Sequence, residues 1–572
     1  MTTNEKLSLL RKKMREHRLG AYIIPSEDAH QSEYAAEHWR GRAWLTGFDG
    51  SAGVAVVTKS QAALWVDGRY YIQAALQLTG SEFQLMKIGT DDIKVYDWLT
   101  AELSFCSDVG IDGRVLSVTE AEKYAAGLSL RGIRLKTDID LLADIWADRP
   151  SLSQSQGAKI FDHGAEYAGK TRAEKLTEIR AAMREKNAGG YLISSLDDIA
   201  WLFNLRGGDI EFTPVFYSYA FVDMRRAYLF ADETKFEDGL TELLAADEIT
   251  VLSYSAVADF LRGYDYKGRI FIDPDRTSVY LKERIAYSIT HGQELTAKLK
   301  AIKNGTELRN IEDTQIKDGA ATVRFIKWIK EAVHTNDLEE ADIHDRLIEL
   351  RGEQAAFKGA SFGTIAAYMA NAALMHYSPV KGASAKLAPH GMLLVDSGGQ
   401  YLGGTTDLTR TIALGDIPGE MKRDFTTVLR AHIALASARF LYGASGSYLD
   451  AIPRSVMWAE GLDYKCGTGH GIGYFLCVHE GPQRFRFMSD DLTRLEPGML
   501  LTNEPGVYRE GMWGIRTENT VRVTEDAETP DGRFLKFETI SYCPVDLAAV
   551  DIALMSQNER AWLNAYHAMV YE

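Results

Sequence analysis

The sequence predicts a multidomain protein in which two similar α/β domains precede a third domain with a different pattern. Its 572 residues are too many for one ordinary hydrophobic core and suggest about three domains. The segments GAYIIPSEDAH (20–30) and GGYLISSLDDI (189–199) each join an aromatic and aliphatic strand to a turn with Ser and acidic residues. A tryptophan segment follows each copy, at 44–48 and 201–205, which favours a duplicated domain.

The domain limits come from composition. Residues 1–20 are rich in Lys, Arg and Glu and predict an amphipathic helix without the apolar stretch of a signal peptide. Pro, Ser, Gln and Gly at 150–157 predict a linker, and a weaker signal lies at 291–305. We therefore expect domains at 1–150, 158–300 and 305–572.

The third domain opens with a predicted helix. Residues 307–333 place aliphatic side chains near helical spacing, at Ile311, Ile316, Val323, Ile326 and Ile329. This pattern indicates an amphipathic helix that packs on a core.

Charge and cysteine content exclude several classes of protein. With 64 basic and 80 acidic residues the formal charge is −16, which argues against nucleic-acid binding. Residues 359–380 lack charged side chains but are too polar for a membrane span. The four cysteines form no CxxC pair, and we expect a cytoplasmic protein without a disulfide framework.

Two aspartates flank a glycine-rich centre in VDSGGQYLGGTTDLTRT (395–411). Apolar and β-branched runs on both sides predict a hairpin. A turn centred near Tyr401 and Leu402 makes Asp396 and Asp407 cross-strand partners, with Cβ atoms roughly 5 Å apart. Two carboxylates this close repel each other unless cations or protons intervene.

Two glutamates repeat the arrangement. Glu504 ends the apolar stretch 499–502, and Glu518 lies in the alternating segment 514–523. Arg516 and Glu518 are then expected on one strand face, where the guanidinium holds the orientation of the carboxylate.

Together with His470 these acids form a plausible ligand set for two divalent cations. Oxygen donors with one imidazole suit Mn²⁺, with Co²⁺ or Zn²⁺ as alternatives, better than a structural zinc site. Two such ions nearly neutralise four carboxylates and a bridging hydroxide. The alternative is a solvent-facing ladder of ion pairs, because most acidic residues lie at the surface.

His470 lies in GTGHGIG (467–473), whose glycines also allow a phosphate-binding loop. No Lys follows with P-loop spacing, so we favour close approach of backbone to metals and substrate. His376 and His479 are candidate donors to an oxyanion, although a single histidine is more often a packing or surface residue.

The motifs VDSGGQYLGGTTDLTRT, GTGHGIGYFLCVHEGP, NEPGVY and GIRTEN together resemble those of the dinuclear pita-bread metallopeptidases, and among these the three-domain Xaa-Pro aminopeptidase (aminopeptidase P) family. The resemblance implies an α/β and α+β multidomain fold, with two creatinase-like N-terminal α/β domains followed by a C-terminal pita-bread catalytic domain. It assigns roles to eight residues: Asp396 as ligand to one metal, Asp407 and Glu518 as bridging ligands, His470 and Glu504 as ligands to the other metal, and His376, His479 and Arg516 near the substrate. Cys466 departs from the pattern, since many relatives have histidine there; it is either a small packing residue or a weak substrate contact.

The activity implied is hydrolysis of the N-terminal Xaa-Pro bond by a hydroxide that bridges two metals, most simply two Mn²⁺ ions, with Glu504 carrying the proton. The partners implied are peptides with proline second, with neither nucleic acid nor membrane. A proline dipeptidase acting on Xaa-Pro dipeptides and a non-catalytic pita-bread peptide-binding module remain alternatives, and a methionine aminopeptidase is disfavoured by the extra domains. Residues 546–572 either close a homodimer or form a packed terminal helix.

Overall fold

The computed structural model describes residues 1–91, 93–152, 158–264 and 268–572. Two compact units are formed, Met1–Gly164 with Lys170–Thr296, and Ala165–Gly169 with Ala297–Glu572. Residues 153–157 of the predicted linker lie outside the described residues. The three predicted domain boundaries stay a prediction.

The first unit begins with a six-stranded mixed sheet in the order β4-β3-β2-β1-β5-β6. Its strands are β1 Ala21–Ile24, β2 Val54–Thr58, β3 Ala62–Val66, β4 Phe83–Lys87, β5 Asp108–Gly110 and β6 Arg134–Lys136. Its helices are α1 Thr3–Glu16, α2 Gly41–Thr46, α3 Tyr71–Gln77, α4 Val95–Glu102, α5 Val118–Ser129 and α6 Leu141–Ile145. Alternate residues of β1 enter two separate hydrophobic clusters, so both faces of the sheet are covered.

A second six-stranded sheet has the equivalent order β12-β11-β10-β8-β13-β14. The six strands are β8 Gly190–Ile193, β10 Ser218–Asp223, β11 Ala227–Ala231, β12 Ile249–Ser253, β13 Ile270–Ile272 and β14 Ile289–His291. A separate two-stranded sheet pairs β7 Phe161–Asp162 with β9 Leu205–Arg206. The helices that follow α6 are α7 Ala165–Ala168, which belongs to the second unit, and then α8 Arg172–Glu185, α9 Leu196–Leu202, α10 Leu240–Ala246, α11 Val257–Gly263, α12 Val279–Lys282 and α13 Leu295–Ala301. Corresponding strand pairs share their parallel or antiparallel sense. The predicted duplication is therefore confirmed.

The two copies also begin alike. Helices α1 and α8 each have 14 residues and start at a capping box, with Thr2 and Thr171 as N-caps. Both end in a left-handed residue, Arg18 at φ 57° and Asn187 at φ 53°. The next amide bonds back to the carbonyl five residues earlier, as in a Schellman motif.

The second unit combines antiparallel strands with long helices. Its strands are β15 Phe357–Ala360, β16 Ile365–Tyr368, β17 Met392–Ser397, β18 Gly399–Tyr401, β19 Gly404–Thr405, β20 Leu408–Ala413, β21 Arg439–Leu441, β22 Gly469–Gly471, β23 Glu480–Phe485, β24 Leu500–Asn503, β25 Gly506–Arg509, β26 Trp513–Arg516, β27 Asn519–Thr529 and β28 Gly532–Thr539. Its remaining helices are α14 Gly305–Ala332, α15 Asp342–Gly352, α16 Gly419–Ala436, α17 Gly446–Leu449, α18 Ala451–Ala459 and α19 Gln557–Tyr571. The sheets run β16-β17-β20, β15-β18-β19, β25-β26 and β21-β28-β27-β24-β22-β23.

Helix α14 matches the predicted helix at 307–333, but its buried face differs in part. Ile311 and Ile329 are buried, whereas Ile316 is 55 % and Val323 38 % exposed. Polar residues such as Asp318, which accepts hydrogen bonds from the buried Arg351, share the inner face. The aliphatic spacing alone could not reveal this mixed face.

The C-terminal helix α19 packs on its own chain. Tyr566 is buried, and the half-buried Trp562 stacks on it at a centroid distance of 5.3 Å. The terminal helix predicted as one alternative for residues 546–572 is present and packed, and closure of a homodimer by this segment stays a prediction. Within the described ranges, no helix is long and apolar enough to cross a membrane.

Candidate metal centre

The two aspartates lie at the end of the β17–β20 hairpin. Asp396 is opposite Thr409, and Asp407 directly precedes β20. The predicted pairing of Asp396 with Asp407 is wrong by two residues, because the turn falls at Leu402 and Gly403. A shift of two residues keeps the same face of the hairpin, so the two carboxylates are diagonal rather than direct neighbours.

The two glutamates lie just beyond the last pair of the β24–β27 ladder. Asn503 and Asn519 are cross-strand partners, and Glu504 and Glu518 occupy the next position on each strand. The expected common strand face of Arg516 and Glu518 is wrong, since Arg516 ends β26 and Glu518 lies in the break before β27. The break frees Glu518 to turn towards the aspartates, and its amide donates to the carbonyl of Thr409 at 3.1 Å.

His470 faces these acids from β22. Its Nε2 lies 3.4 Å from Oδ2 of Asp407 and 3.6 Å from Oε1 of Glu504. Its Nδ1 lies 2.9 Å from the carbonyl oxygen of Gly471, to which it can donate, and this leaves the Nε2 lone pair for a metal ion.

The glycines around His470 serve strand packing. A Cβ at Gly469 would lie 1.9 Å from the carbonyl oxygen of Thr502, and one at Gly471 2.2 Å from that of Glu480. These neighbours belong to adjacent strands, so the contacts explain the glycines without a phosphate.

The carboxylates and His470 fit a cation. Ligand atoms of Asp407, His470 and Glu518 all lie within 4.8 Å of one another. Asp396 and Glu504 act electrostatically on Glu518 in the same cluster. The Oδ1 atom of Asp396 is buried and has no hydrogen-bond partner among the residues that the structure describes, whereas its Oδ2 accepts from Arg516. A buried carboxylate oxygen without a donor is costly, and a bound metal ion would remove that cost.

Burial and the charges of the acids also shift the pKa values of Asp396, Glu518 and His470. Burial raises the pKa of Asp396 to about 7, with Arg516 opposing the shift and Asp407 and Glu504 adding to it. Burial and the same acidic neighbours raise the pKa of Glu518 well above its usual value. Although burial alone lowers it, the bond to Asp407 and the charge of Glu504 raise the pKa of His470 to about 9. Protons thus offset the charge of the metal-free cluster, where divalent ions would replace them.

Arg516 orients two of the acids. It is buried and donates to Oδ2 of Asp396 at 2.5 Å, to Oγ1 of Thr409 at 3.1 Å and to the hydroxyl of Tyr508 at 2.7 Å. The Thr409 hydroxyl in turn donates a hydrogen bond to Oε2 of Glu518 at 2.7 Å. Arg516 therefore orients Asp396 directly, and it orients Glu518 only indirectly, through Thr409.

The two further histidines stand in different positions. The ring of His479 meets that of His470 edge to face at 4.2 Å. The adjacent Glu480 is fully buried and bonds to Lys303, which fixes the start of β23. His376 lies half-buried in the turn after the 3₁₀ helix Met369–Ala373.

The 3₁₀ helix before His376 touches the metal-site strands. It contacts β17 and β26, the strands of Asp396 and Arg516. A Cβ at Gly514 would lie 1.7 Å from the carbonyl oxygen of Ala372, so only glycine permits this approach.

Sequence reasoning missed the residues that support these side chains. Thr409 follows Asp407 by two positions, a spacing that already put both on one strand face. Glu340 accepts from the amides of Tyr368 and Ala385 and from the Tyr377 hydroxyl, and so anchors the segment of His376. No local pattern indicated this long-range role.

Cys466 is half-buried and packs, with Tyr508, against the hydrophobic cluster around α16. Its carbonyl oxygen accepts a hydrogen bond from Arg454 at 2.6 Å. These contacts favour the packing role over a metal-ligand role.

Comparisons with known proteins agree with this architecture. The model of metallopeptidase family M24 matches residues 309–525, and that of its C-terminal region residues 533–572. Two creatinase/prolidase N-terminal domain models match 6–141 and 148–307. The fold is thus two creatinase-type domains followed by a pita-bread domain.

Individual proteins are similar over the whole chain. A probable Xaa-Pro aminopeptidase P of Laccaria bicolor is 38 % identical over 590 residues, covering 100 % of this chain and 90 % of that protein. The X-prolyl aminopeptidase of Caenorhabditis elegans, described as a cytosolic enzyme with a dinuclear active site, has 34 % identity and a TM-score of 0.95, covering 100 % of this chain and 95 % of that one. A prolidase of Pyrococcus horikoshii is 22 % identical with a TM-score of 0.51, covering 65 % of this chain and 99 % of its own.

Proposed function

Since the chain belongs to metallopeptidase family M24, we propose that it is a divalent-metal-dependent Xaa-Pro aminopeptidase, which releases the first residue of peptides with proline second. The observation that carries this proposal is the full-length match to the X-prolyl aminopeptidase of Caenorhabditis elegans, both N-terminal domains included. The prolidase matches only 65 % of the chain, which argues against the proline dipeptidase alternative.

The centre takes divalent metal ions, and we propose two Mn²⁺ ions per chain. Asp396, Asp407, His470, Glu504 and Glu518 would hold them, with Asp407 and Glu518 between the two. Four carboxylate donors and one imidazole favour a hard or borderline ion, with Co²⁺ or Zn²⁺ as alternatives. When bound, the metals would polarise the scissile carbonyl and activate the attacking water.

Glu504 is the proposed proton carrier. Its side chain is 21 % exposed, whereas the Glu518 residue is 1 % exposed, so Glu504 can reach both water and substrate. It takes a proton from the attacking water and gives it to the proline nitrogen as the bond breaks. His376 and His479 are the proposed donors to the developing oxyanion.

The substrate bond explains why a dedicated enzyme is needed. An Xaa-Pro bond is a tertiary amide without an N–H, so a peptidase that relies on that donor loses a contact. The free α-ammonium group would be attracted by the acidic cluster. Peptides with an acetylated N-terminus should therefore be poor substrates.

We also propose a cytoplasmic homodimer. Four free cysteines agree with a reducing compartment.

The proposed dimer interface is an apolar surface cluster, which consists of Tyr448, Trp458, Phe487, Met488 and Leu492, with exposures between 40 % and 87 %. Trp458 and Phe487 pack at 5.1 Å, and exposed apolar side chains in contact with each other are typical of an interface.

The proposal is tested by comparing Xaa-Pro dipeptides with Xaa-Pro-Xaa peptides on protein loaded with Mn²⁺. Cleavage of the longer peptide with release of its first residue is expected. Exclusive dipeptide cleavage would establish a proline dipeptidase instead. Elemental analysis showing less than one ion per chain, without any cleavage, would favour a non-catalytic binding module.

A further inference from the structure

Behind the two glutamates lies a buried guanidinium that forms no hydrogen bond to an acid in the described part of the chain. Arg410 follows Thr409 on β20 and is 3 % exposed. Its acceptors are the carbonyl oxygens of Thr409 (2.8 Å), Glu518 (2.5 Å), Cys543 (2.6 Å) and Pro544 (3.0 Å), Oδ1 of Asn519 (2.8 Å) and the hydroxyl of Tyr566 (2.8 Å).

This cation is placed beside the acidic cluster. A buried charge is costly unless opposite charge lies near it. The bond to the backbone of Glu518 fixes the guanidinium next to that metal-ligand residue. The neighbouring Thr409 bonds to the same glutamate through its side chain. Both residues therefore constrain Glu518, one at the backbone and one at the carboxylate.

The hydrogen bonds that start at Arg410 extend through Asn519 and His432 to Asn503, the residue before Glu504. The Asn519 amide lies 3.1 Å from Nε2 of His432, to which it can donate, and Nδ1 of His432 lies 3.0 Å from the carbonyl oxygen of Asn503. Burial, aided by Arg410, lowers the pKa of His432 to about 3, so the ring is neutral and can donate and accept at once. Asn503 and Asn519 are the cross-strand pair directly before the two glutamates. The network thus ties together the backbone positions from which Glu504 and Glu518 project.

Tyr566 brings the C-terminal helix α19 into this network. Its hydroxyl accepts from Arg410 and can donate to Oδ1 of Asn519 at 3.1 Å or to the carbonyl oxygen of Cys543 at 2.7 Å. The ring is held independently by stacking on Trp562. The hydroxyl is therefore separable from the packing of the helix.

We propose that Arg410 and Tyr566 are positioning residues for the metal centre, through which the C-terminal helix sets how tightly the paired glutamates bind metal ions. This inference rests on the proposed metal-dependent function. Neither residue touches the reacting groups. Arg410 holds the backbone carbonyl of Glu518, and both residues bond to the side-chain oxygen of Asn519, the residue next to Glu518. Residues that support metal ligands in this way typically change metal affinity by about 10–100-fold.

The experiment compares Tyr566→Phe with wild type after chelation, by calorimetric titration with Mn²⁺. The variant keeps the stacked ring and loses only the hydroxyl. We expect Mn²⁺ affinity to fall by about 10-fold or more, and excess Mn²⁺ to restore kcat with an unchanged KM for an Xaa-Pro-Xaa peptide. Tyr571→Phe makes the same chemical change on the same helix at a residue that is 93 % exposed, and should bind Mn²⁺ like wild type.

Arg410→Lys is the second variant, because it retains the charge and loses the forked donor geometry. We expect weaker Mn²⁺ binding in the same direction, and if this variant does not fold, Tyr566→Phe decides. Unchanged Mn²⁺ affinity in Tyr566→Phe, even with a lower Tm, would overturn the inference, because the hydroxyl would then serve packing alone. Wild type that binds Mn²⁺ without cleaving Xaa-Pro bonds would refute the proposed function and leave this inference intact.

Discussion

The four acidic side chains of the candidate centre differ in what offsets their charge. One oxygen of Asp396 accepts a hydrogen bond from Arg516, whereas the other is buried and meets no donor within the described ranges of the chain. Glu518 accepts from Thr409, and Glu504 remains partly open to solvent. Arg516 and the nearby Arg410 are two positive charges against four carboxylates, and the remaining deficit of positive charge is one that divalent ions would cover.

Replacing Asp407 by Asn should abolish peptidase activity while leaving the protein folded. The amide removes one negative charge from the cluster and can no longer share two metal ions. Turnover of an Xaa-Pro-Xaa peptide and circular dichroism check this expectation. Asp337→Asn, at a side chain that is 85 % exposed, is the matched control and should be fully active. An active Asp407→Asn variant would disprove the bridging role.

Mn²⁺ affinity should increase from pH 6 to pH 8. In the metal-free protein the pKa of Asp396 is about 7 and that of His470 about 9, so both groups carry protons at pH 6 that a metal ion must displace. Raising the pH to 8 removes the proton of Asp396 but leaves most of that of His470, so the competition decreases without disappearing. Calorimetry in two buffers with different ionisation enthalpies measures the protons released, and we expect more at pH 6 than at pH 8. Binding without proton release at pH 6 would contradict these shifted pKa values.

At the level of helices and strands, the sequence predicted the duplicated sheets, helix α14 and the strands that carry the candidate ligands. The register of the aspartate hairpin was wrong by two residues, because four glycines allow several turn positions and alternation fixes only the face. Arg410, His432 and Tyr566 could not be predicted, since their partners lie up to 156 residues away in the chain. Local spacing contains no information about such contacts.

Gly398 is a position in this hairpin where a side chain should be excluded. A Cβ there would lie 1.9 Å from the carbonyl oxygen of Thr406 and 2.2 Å from Oγ of Ser361. Gly398→Ala should therefore lower the free energy of unfolding by about 1–3 kcal/mol, the usual cost of overpacking. Denaturant unfolding measures this effect. Gly419→Ala is the control, because an added Cβ there would meet no atom within 4 Å among the described residues beyond its own helix. It should show no loss, and equal stability of the two variants would refute the steric argument.

At the scale of the whole molecule, two copies of one α/β domain precede the catalytic domain. Both six-stranded sheets belong to the first unit, whereas every candidate metal ligand belongs to the second unit. The similarity to a probable Xaa-Pro aminopeptidase P of Laccaria bicolor extends over both copies and the third domain, with 100 % of this chain covered.

Leu492→Lys should convert the proposed homodimer to monomers. Leu492 is 57 % exposed in the apolar surface cluster, and a charge buried in an interface without a partner is strongly unfavourable. Sedimentation velocity of the variant and wild type tests this. Leu243→Lys, at a residue that is 53 % exposed in the other unit, is the control and should stay dimeric. Wild type that sediments as a monomer would refute the dimer itself.

The C-terminal ends of helices α1 and α8 suggest a substitution that would increase thermal stability. The second copy has Asn at its left-handed position, a residue that tolerates this backbone, whereas the first copy has Arg at φ 57°. Replacing Arg18 by Asn, the residue that the second copy has at this position, should raise the melting temperature of the first unit. Arg18→Gly should raise it further. Differential scanning calorimetry would measure the gain, and a fall in both variants would show that the arginine side chain contributes more than its backbone costs. A stabilising substitution for the first copy could then be read directly from the equivalent position of the second copy.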